Sequence, residues 1–405
     1  MEYQLIDADE HYYEPDDCFS RHIESRYAAE TIRVERGSDG LGRIYLGSKR
    51  TFMSVMPGDY ASAPGALQGL FVGGVADGFT HREVVSAKDH PEFTSKAARL
   101  ALMDTQGVEA AILLPTLGVA VEYDMRGDTS LLYASLRAFN RWLEEDWGYG
   151  ADGRVFAVPM MSLVDLDEAM KELRRVITAG ARIVHLAPGP VASGPGAGRS
   201  PADPYYDPFW ATAAEAGVPV AFHVSNSGYN HFYGPLWSEN PENPSHTQTP
   251  LQWALCNTER PLVDTMIALT LHNLFGRHPG IKIVSIENGS NWLKPLFKTV
   301  DKAAALGRRG AAIGGKLPDK PSQALAEHLW VCPFPEDDVD ELIDALGPDH
   351  VLFGSDWPHP EGLREPEDYL VRLAGRDAAV TRKVLRGNTA RLLGIADQAA
   401  DTTGA

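Results

Sequence analysis

The chain has 405 residues, a formal net charge of −18, and 44% hydrophobic and 23% charged residues. This composition predicts a globular protein with a large core. The acidic charge argues against a nucleic-acid partner and against an anionic membrane surface, because both would need a basic face. The chain begins without a signal-peptide pattern, and no apolar run approaches the length of a membrane span, so we expect a cytoplasmic protein.

Short apolar runs alternate with helix-like segments along the whole chain. The predicted strands, in order, are residues 5–9, 110–114, 155–160, 182–187, 218–224, 281–287, 329–333 and 351–356. The predicted helices are residues 94–107, 130–147, 166–179, 209–216, 262–277, 290–306, 337–346, 367–374 and 378–393. Strands that alternate with helices indicate parallel βα units. Eight such units favour an α/β fold of the (β/α)8 TIM-barrel type over an open sheet.

Two long segments interrupt this alternation. Residues 12–93 separate the first strand from its helix and contain two β-like runs, 31–36 and 43–46, around a glycine-rich turn that predicts a hairpin. Residues 225–260 are rich in Asn, Pro, Gly and aromatic residues. Both follow strands, so we expect them on the C-terminal rim as pocket walls, with surface decoration or a dimer contact as the alternative. We predict one distorted barrel domain over residues 1–395, with an inserted hairpin, long rim loops and a flexible tail at 396–405.

Polar, metal-capable side chains stand at the ends of the predicted strands. Asp9 and His11 end the first strand, and their spacing of two places both on one side of it. Four other strands end in His185, His223, Glu287 and Asp356. Taken alone, His223 could be a core histidine, and Asp9 or Asp356 could cap a turn. Strand ends converge on one barrel rim and buried charges need partners, so together these residues predict a divalent-metal site.

Several segments resemble the amidohydrolase-related proteins. They are Asp9-Glu10-His11, the strand that ends in His223, the Gly-Ser-Asp-Trp-Pro stretch at residues 354–358, and the closing segment at residues 384–394. Within that superfamily the chain is most similar to the branch containing aminocarboxymuconate semialdehyde decarboxylase and γ-resorcylate decarboxylase. The resemblance implies a distorted barrel that holds one divalent metal, acts on a small-molecule substrate and forms a homodimer.

The resemblance also implies roles for particular residues. By motif, the metal ligands are Asp9, His11, His223 and Asp356. This donor set suits Zn²⁺, and Mn²⁺ or Fe²⁺ stay open. Glu287 stands where the decarboxylases typically have a proton-moving histidine, so a base, a fifth ligand, an orienting partner and a structural role all stay open.

Further side chains are candidates for contact with the substrate. His185 is a candidate catalytic residue that touches substrate or supports the metal ligands, with a structural role as the alternative. The candidate substrate-binding residues just past strand ends are Asn226, Asn288, Trp357 and His359, with turn and cap chemistry as the alternative.

Three functions fit these residues. The first is hydrolysis, in which metal-activated water attacks a carbonyl of a small aromatic or cyclic substrate, with Asp356 as base and Glu287 assisting. The alternative is non-oxidative decarboxylation of an aromatic or unsaturated acid, with Glu287 or His185 as the proton donor. The third is a ligand-binding barrel without catalysis. A shared fold fixes a site and not a reaction, so the sequence leaves the choice open.

Overall fold

The computed structural model describes residues 3–73, 82–194 and 197–396. Its strands are β1 (Leu5–Tyr12), β2 (Ile32–Arg36), β3 (Gly42–Leu46), β4 (Lys49–Met56), β5 (Tyr60–Ser62), β6 (Val84–Ser86), β7 (Val108–Pro115), β8 (Val155–Ala157), β9 (Met160–Met161), β10 (Val184–Leu186), β11 (Val191–Gly194), β12 (Ala197–Arg199), β13 (Val220–His223), β14 (Ile283–Ile286) and β15 (Leu329–Cys332). The predicted tail at 396–405 lies outside the described residues, except for residue 396.

The helices alternate with these strands. They are α1 (Gln68–Gly73), α2 (Lys96–Gln106), α3 (Gly118–Val121), α4 (Thr129–Asp146), α5 (Leu166–Thr178), α6 (Asp207–Glu215), α7 (Tyr229–Phe232), α8 (Pro250–Cys256), α9 (Arg260–Leu271), α10 (Leu274–Arg277), α11 (Leu293–Gly307), α12 (Pro321–His328), α13 (Val339–Leu346), α14 (Ala378–Arg382) and α15 (Asn388–Leu393). A π-helical turn, Lys383–Gly387, joins the last two. Within the described residues, no helix is both long enough and apolar enough to span a bilayer.

Parallel strands form a ring, as the sequence predicts. One sheet has the order β1-β7-β8 and the other the order β15-β14-β13-β10-β9. The two sheets meet where β8 runs on into β9. On the opposite side, the extended segment 351–357 bridges β15 and β1: Leu352 N donates to Val331 O at 2.9 Å, and Ala8 N donates to Phe353 O at 2.9 Å. The chain is therefore a distorted (β/α)8 barrel.

The inside and the outside of this ring have separate apolar cores. The interior is filled by side chains from successive strands, among them Ile6, Ala8, Ile112, Ile183, Ala221, Val284 and Leu352. The larger core lies between the strands and the surrounding helices. Side chains alternate between the two faces of a strand. Polar side chains that come after the interior apolar residues, toward the C-terminal end of a strand, therefore reach the mouth of the barrel.

Several elements differ from the sequence-based expectation. The third predicted strand is divided into β8 and β9, and the eighth is an extended segment with isolated bridges at Val351 and Trp357. The predicted helix 262–277 breaks into α9 and α10 at Asn273, whose φ of 54° is left-handed. The predicted hairpin is confirmed as β2 and β3, and β4 adds a third antiparallel strand.

The inserted sheet of β2, β3 and β4 is held against a rim loop by Asp124. The backbone N–H of Phe52 in β4 donates to Asp124 Oδ2 at 3.0 Å. Burial, opposed by that hydrogen bond, raises the pKa of Asp124 from its usual 3.8 to about 6. Since the folded protein holds this proton more tightly than the unfolded chain, stability falls as the pH rises from about 4 through 6.

Asp124→Asn is therefore expected to stabilise the protein at pH 7.5, because the amide keeps an oxygen acceptor for Phe52 without a buried charge. The expected gain in the free energy of unfolding is on the order of 1–3 kcal/mol, and it should vanish near pH 4. Urea unfolding at both pH values measures it. Asp104→Asn is the control, since the Asp104 side chain is 63% exposed. Equal stability of wild type and Asp124→Asn at pH 7.5 would contradict this account.

Candidate functional site

A bulge in β1 turns two polar side chains toward the barrel axis. Along β1 and β7, Asp7 pairs with Ala111 but Glu10 pairs with Leu113, so β1 carries one extra residue between the two pairs. Such a bulge re-aims the side chains that follow it. Ala8 therefore belongs to the interior core while Asp9 and His11 reach the mouth of the barrel above it.

Two further carboxylates reach the same place from strained backbone positions. Glu287 follows β14 with φ 52°, and Asp356 follows the eighth strand with φ 56°. Left-handed φ is uncommon for residues other than glycine, and it concentrates at functional sites. Gly354 lets the eighth strand approach β1, because a Cβ there would lie 2.5 Å from Asp9 Cβ and 2.3 Å from Cys332 Sγ.

These side chains converge on a small volume. His11 Nε2 lies 3.3 Å from Asp9 Oδ1, 3.5 Å from Asp356 Oδ1 and 3.2 Å from His223 Nε2. Glu287 Oε2 lies 2.8 Å from His223 Nε2. The described residues hold two overlapping metal-capable groups, each with ligand atoms within 4.8 Å of one another: Asp9, His11, His223 and Glu287, and His11, Glu287, Asp356 and His359. The structure thus brings all four predicted ligands together with Glu287.

The charges in this cluster call for a cation. Burial and the neighbouring Glu287 carboxylate raise the pKa of both Asp9 and Asp356 well above the usual range. Burial and the nearby imidazoles of His359 and His223 lower the pKa of His11. Burial opposes a charge on His223, but Glu287 raises its pKa above the usual value. Several acids packed in a buried site repel one another, and a bound divalent ion would relieve that repulsion.

The donor atoms fit such an ion. His223 Nδ1 donates to Val224 O at 2.8 Å, so the neutral ring presents a lone pair on Nε2 toward His11. Among the described residues, Asp9 Oδ1 is buried without a hydrogen-bond partner. Imidazole nitrogens and carboxylate oxygens that face one another without a shared hydrogen are typical of an arrangement built for a metal.

A hydrogen-bonded pair next to the cluster holds a proton. The Thr116 hydroxyl donates to Tyr12 O at 2.8 Å and lies 2.9 Å from His359 Nε2. A hydroxyl has a single hydrogen, so His359 Nε2 must donate to Thr116. His359 Nδ1 lies 2.7 Å from Asp356 Oδ1, and a second proton lies between these two atoms. Burial lowers the pKa of His359 to about 4, which opposes a positive charge on this ring.

The loop that follows β7 and the loop that follows β13 contact each other. Asn226 N donates to Val119 O at 3.3 Å, and the Tyr123 ring packs so closely on Gly228 that a Cβ there would lie 1.9 Å from it. The Asn226 side-chain oxygen accepts from Gly228 N, and its Nδ2 is buried without a partner in the described part of the chain. Asn226 thus lies near the mouth of the barrel, as predicted for a residue that contacts substrate.

The other predicted residues are placed differently. His185 is buried beside Ser225 and belongs to neither metal-capable group. Asn288 Nδ2 donates to Phe222 O at 2.9 Å and to Ile286 O at 2.7 Å, so this amide ties β13 to β14. The Trp357 ring packs 4.2 Å from the Arg99 guanidinium. Asn288 and Trp357 support the backbone around the cluster.

Sequence reasoning missed Thr116 and Arg99. Thr116 directly follows β7, so the same search for polar side chains at strand ends could have found it. Arg99 lies in α2 and is fully buried: it donates to Glu10 Oε2 at 2.9 Å and to His11 O at 2.7 Å. A charged helical residue is usually solvated, so the sequence contains no signal for this buried pair.

Known proteins resemble this chain over most of its length. The sequence profile of the family described as "Amidohydrolase" matches residues 7–395. A solved amidohydrolase from Mycobacterium avium subsp. paratuberculosis K-10 is 38% identical, with a TM-score of 0.88 over 97% of this chain and 100% of its own. γ-Resorcylate decarboxylase of Rhizobium sp. (strain MTP-10005) is 26% identical over 303 residues, which are 69% of this chain and 82% of its own.

A dihydroxybenzoic acid decarboxylase from Polaromonas sp. JS666, solved with bound manganese and the inhibitor 2-nitroresorcinol, shares the fold at a TM-score of 0.59 and 17% identity. That alignment covers 97% of this chain and 97% of the other. The predicted barrel fold is thereby confirmed.

Proposed function

Because the chain belongs to the amidohydrolase family, we propose that it is a metal-dependent carboxy-lyase that decarboxylates a hydroxylated aromatic acid without oxidation. This was the alternative to hydrolysis in the sequence analysis, and the similarity to γ-resorcylate decarboxylase over 69% of the chain favours it. The observation that carries the proposal is the convergence of Asp9, His11, His223 and Asp356, with Glu287, in a chain with that relationship.

The proposed ligands of the divalent metal are Asp9, His11, His223 and Asp356. Zn²⁺ is the expected ion, and Mn²⁺ or Fe²⁺ would suit the oxygen donors. When bound, the metal would supply positive charge that attracts the substrate carboxylate. Glu287 Oε2, 2.8 Å from His223 Nε2, would face the same ion as a further carboxylate donor.

The chain's own residues supply the proton that the reaction needs. In decarboxylation the bond between the ring carbon and the carboxylate carbon breaks, CO2 leaves, and the electron pair stays on the ring carbon, which takes one proton. We assign the donation to Asp356, whose carboxyl shares a proton with His359. Uptake of one proton from solvent at the pair of Asp356 and His359, which Thr116 holds in place, restores the donor for the next turnover.

CO2 release tests the proposal. The purified protein, loaded in turn with Zn²⁺ and Mn²⁺, is incubated with a panel of hydroxybenzoates, and with an amide and a lactone of similar size. We expect CO2 from at least one 2-hydroxybenzoate, one deuterium in the product in D2O, loss of release after chelation, and competition by 2-nitroresorcinol. Cleavage of the amide or lactone with no CO2 from any acid would reject decarboxylation in favour of hydrolysis.

The remaining expectations stay predictions. A homodimer and a cytoplasmic location are properties that light scattering and cell fractionation can measure directly. The assignment of metal ligands does not depend on either of them, because all the proposed ligands come from one chain.

A further inference from the structure

Ser225 fixes the hydrogen-bonding state of His185. The Ser225 hydroxyl donates to His223 O at 2.8 Å and lies 3.3 Å from His185 Nε2. Its single hydrogen is used by the carbonyl, because an unprotonated oxygen 2.8 Å from a carbonyl oxygen would be repelled. His185 Nε2 must therefore carry a hydrogen and donate to Ser225. The neutral ring then presents a bare lone pair on Nδ1.

The His185 ring lies inside the barrel, on the strand next to the one that ends in His223. His185 pairs with Ala221 across β10 and β13, and it lies two residues after Ile183. Ala221 and Ile183 both belong to the interior core, so the imidazole points to the same side. His185 is completely buried, and its Nδ1 finds no hydrogen-bond partner among residues 3–73, 82–194 and 197–396. A buried acceptor left unpaired is costly unless a ligand supplies the donor.

We propose that His185 Nδ1 accepts a hydrogen bond from a ring hydroxyl of the substrate, with Ser225 as the residue that positions it. The inference rests on the proposed function and deepens it, because it gives the hydroxyl group beside the substrate carboxylate a specific acceptor in the protein. A carboxylate oxygen has no hydrogen to donate, so the Nδ1 lone pair repels it. The substrate carboxylate therefore faces the cation instead of His185. A hydroxyl next to the carboxylate donates to His185.

The position of His185 relative to His223 favours a hydroxyl close to the carboxylate. Ser225 contacts both the His223 carbonyl and His185 Nε2, so the His185 ring lies beside the strand end that carries a proposed metal ligand. In the proposed complex, a substrate whose carboxylate faces the metal turns a neighbouring ring position toward His185. Hydroxyls on the far side of the ring would leave Nδ1 unpaired.

The test compares two non-reactive probes that differ only in the hydroxyl beside the nitro group, 2-nitrophenol and nitrobenzene. Their Kd values are measured by calorimetry with the Mn²⁺-loaded full-length protein. The readout is the ratio of the two Kd values, since a general loss of affinity or of folded protein changes both alike. We expect His185→Phe to lower the preference for 2-nitrophenol about tenfold relative to wild type.

Two more variants separate recognition from structure. His185→Asn places an amide oxygen close to the position of Nδ1 and is expected to restore most of the preference. Ser225→Ala removes the acceptor beside His185 Nε2, so the ring hydrogen can move to Nδ1. This variant should give a Kd ratio between those of wild type and His185→Phe. The same ratio in wild type and in His185→Phe would overturn the inference while leaving decarboxylation intact. If the wild type binds neither probe, the inference and the proposed substrate class fall together, and the absence of CO2 in the preceding assay identifies that case.

Discussion

Asp356→Asn is expected to reduce CO2 release by at least about a thousandfold. The asparagine keeps the size of the side chain and an oxygen that can face a metal, but it cannot donate the carboxyl proton that Asp356 shares with His359. Loss of a general acid typically costs 10²–10⁴-fold, and the lost negative charge weakens metal binding as well. Steady-state CO2 release, with metal content determined on the same sample, measures both effects.

The control variants separate the two roles of Asp356. His359→Phe removes the partner that shares the proton but leaves the carboxylate, so we expect about a 10–100-fold loss of CO2 release with metal content preserved. Asp104→Asn, the same substitution at an exposed ion pair with Arg154, should leave both quantities near wild type. Full activity of metal-loaded Asp356→Asn would show that another group delivers the proton.

Arg99→Met is expected to lower the free energy of unfolding by about 3–5 kcal/mol. Arg99 is buried, pairs with Glu10 Oε2 at 2.9 Å and donates to His11 O at 2.7 Å. The methionine fills much of the volume but leaves the Glu10 carboxylate buried without its partner. The substitution also removes the cation that packs on the Trp357 ring. The backbone of β1 and of the segment around Trp357, which carry proposed ligands, therefore loosens. Urea unfolding measures the loss.

A double variant tests the cause. Arg99→Met combined with Glu10→Gln removes both charges and should recover a large part of the lost stability, because an unpaired buried charge is the main cost. Arg364→Met, at an exposed pair with Glu83, should cost less than about 1 kcal/mol. A double variant as unstable as Arg99→Met alone would mean that packing, rather than the unpaired carboxylate, dominates.

The sequence predicted the strand ends well and the directions of side chains less well. The spacing of two between Asp9 and His11 correctly placed them on one side of β1. Ile6 and Ala8 point into the barrel, however, and strict alternation would make Glu10 the next residue to point inward. Asp9 and His11 would then lie outside the barrel. The extra residue in β1 reverses this, and a bulge has no signature in that sequence.

Other differences arise from tertiary packing. Asn288 and Trp357 are next to proposed site residues in sequence, but their side chains bond strand carbonyls and Arg99 instead. Neighbours along a chain leave strands in opposite directions, so adjacency to a motif does not fix contact with a ligand. Glu287 was singled out from its place at a strand end and lies in the cluster, yet its short contact with His223 depends on a left-handed backbone that only the fold imposes.

The contact between the two rim loops also makes the segment after β13 sensitive to changes in a different part of the chain. Asn226 N is bonded to Val119 O and Tyr123 lies against Gly228, so the loop after β13 is fixed to the loop after β7. Gly228 has a left-handed φ of 78°, and any side chain there would meet the Tyr123 ring. A substitution at Gly228 would therefore push the two loops apart and displace Asn226, although neither Gly228 nor Tyr123 is a proposed metal ligand.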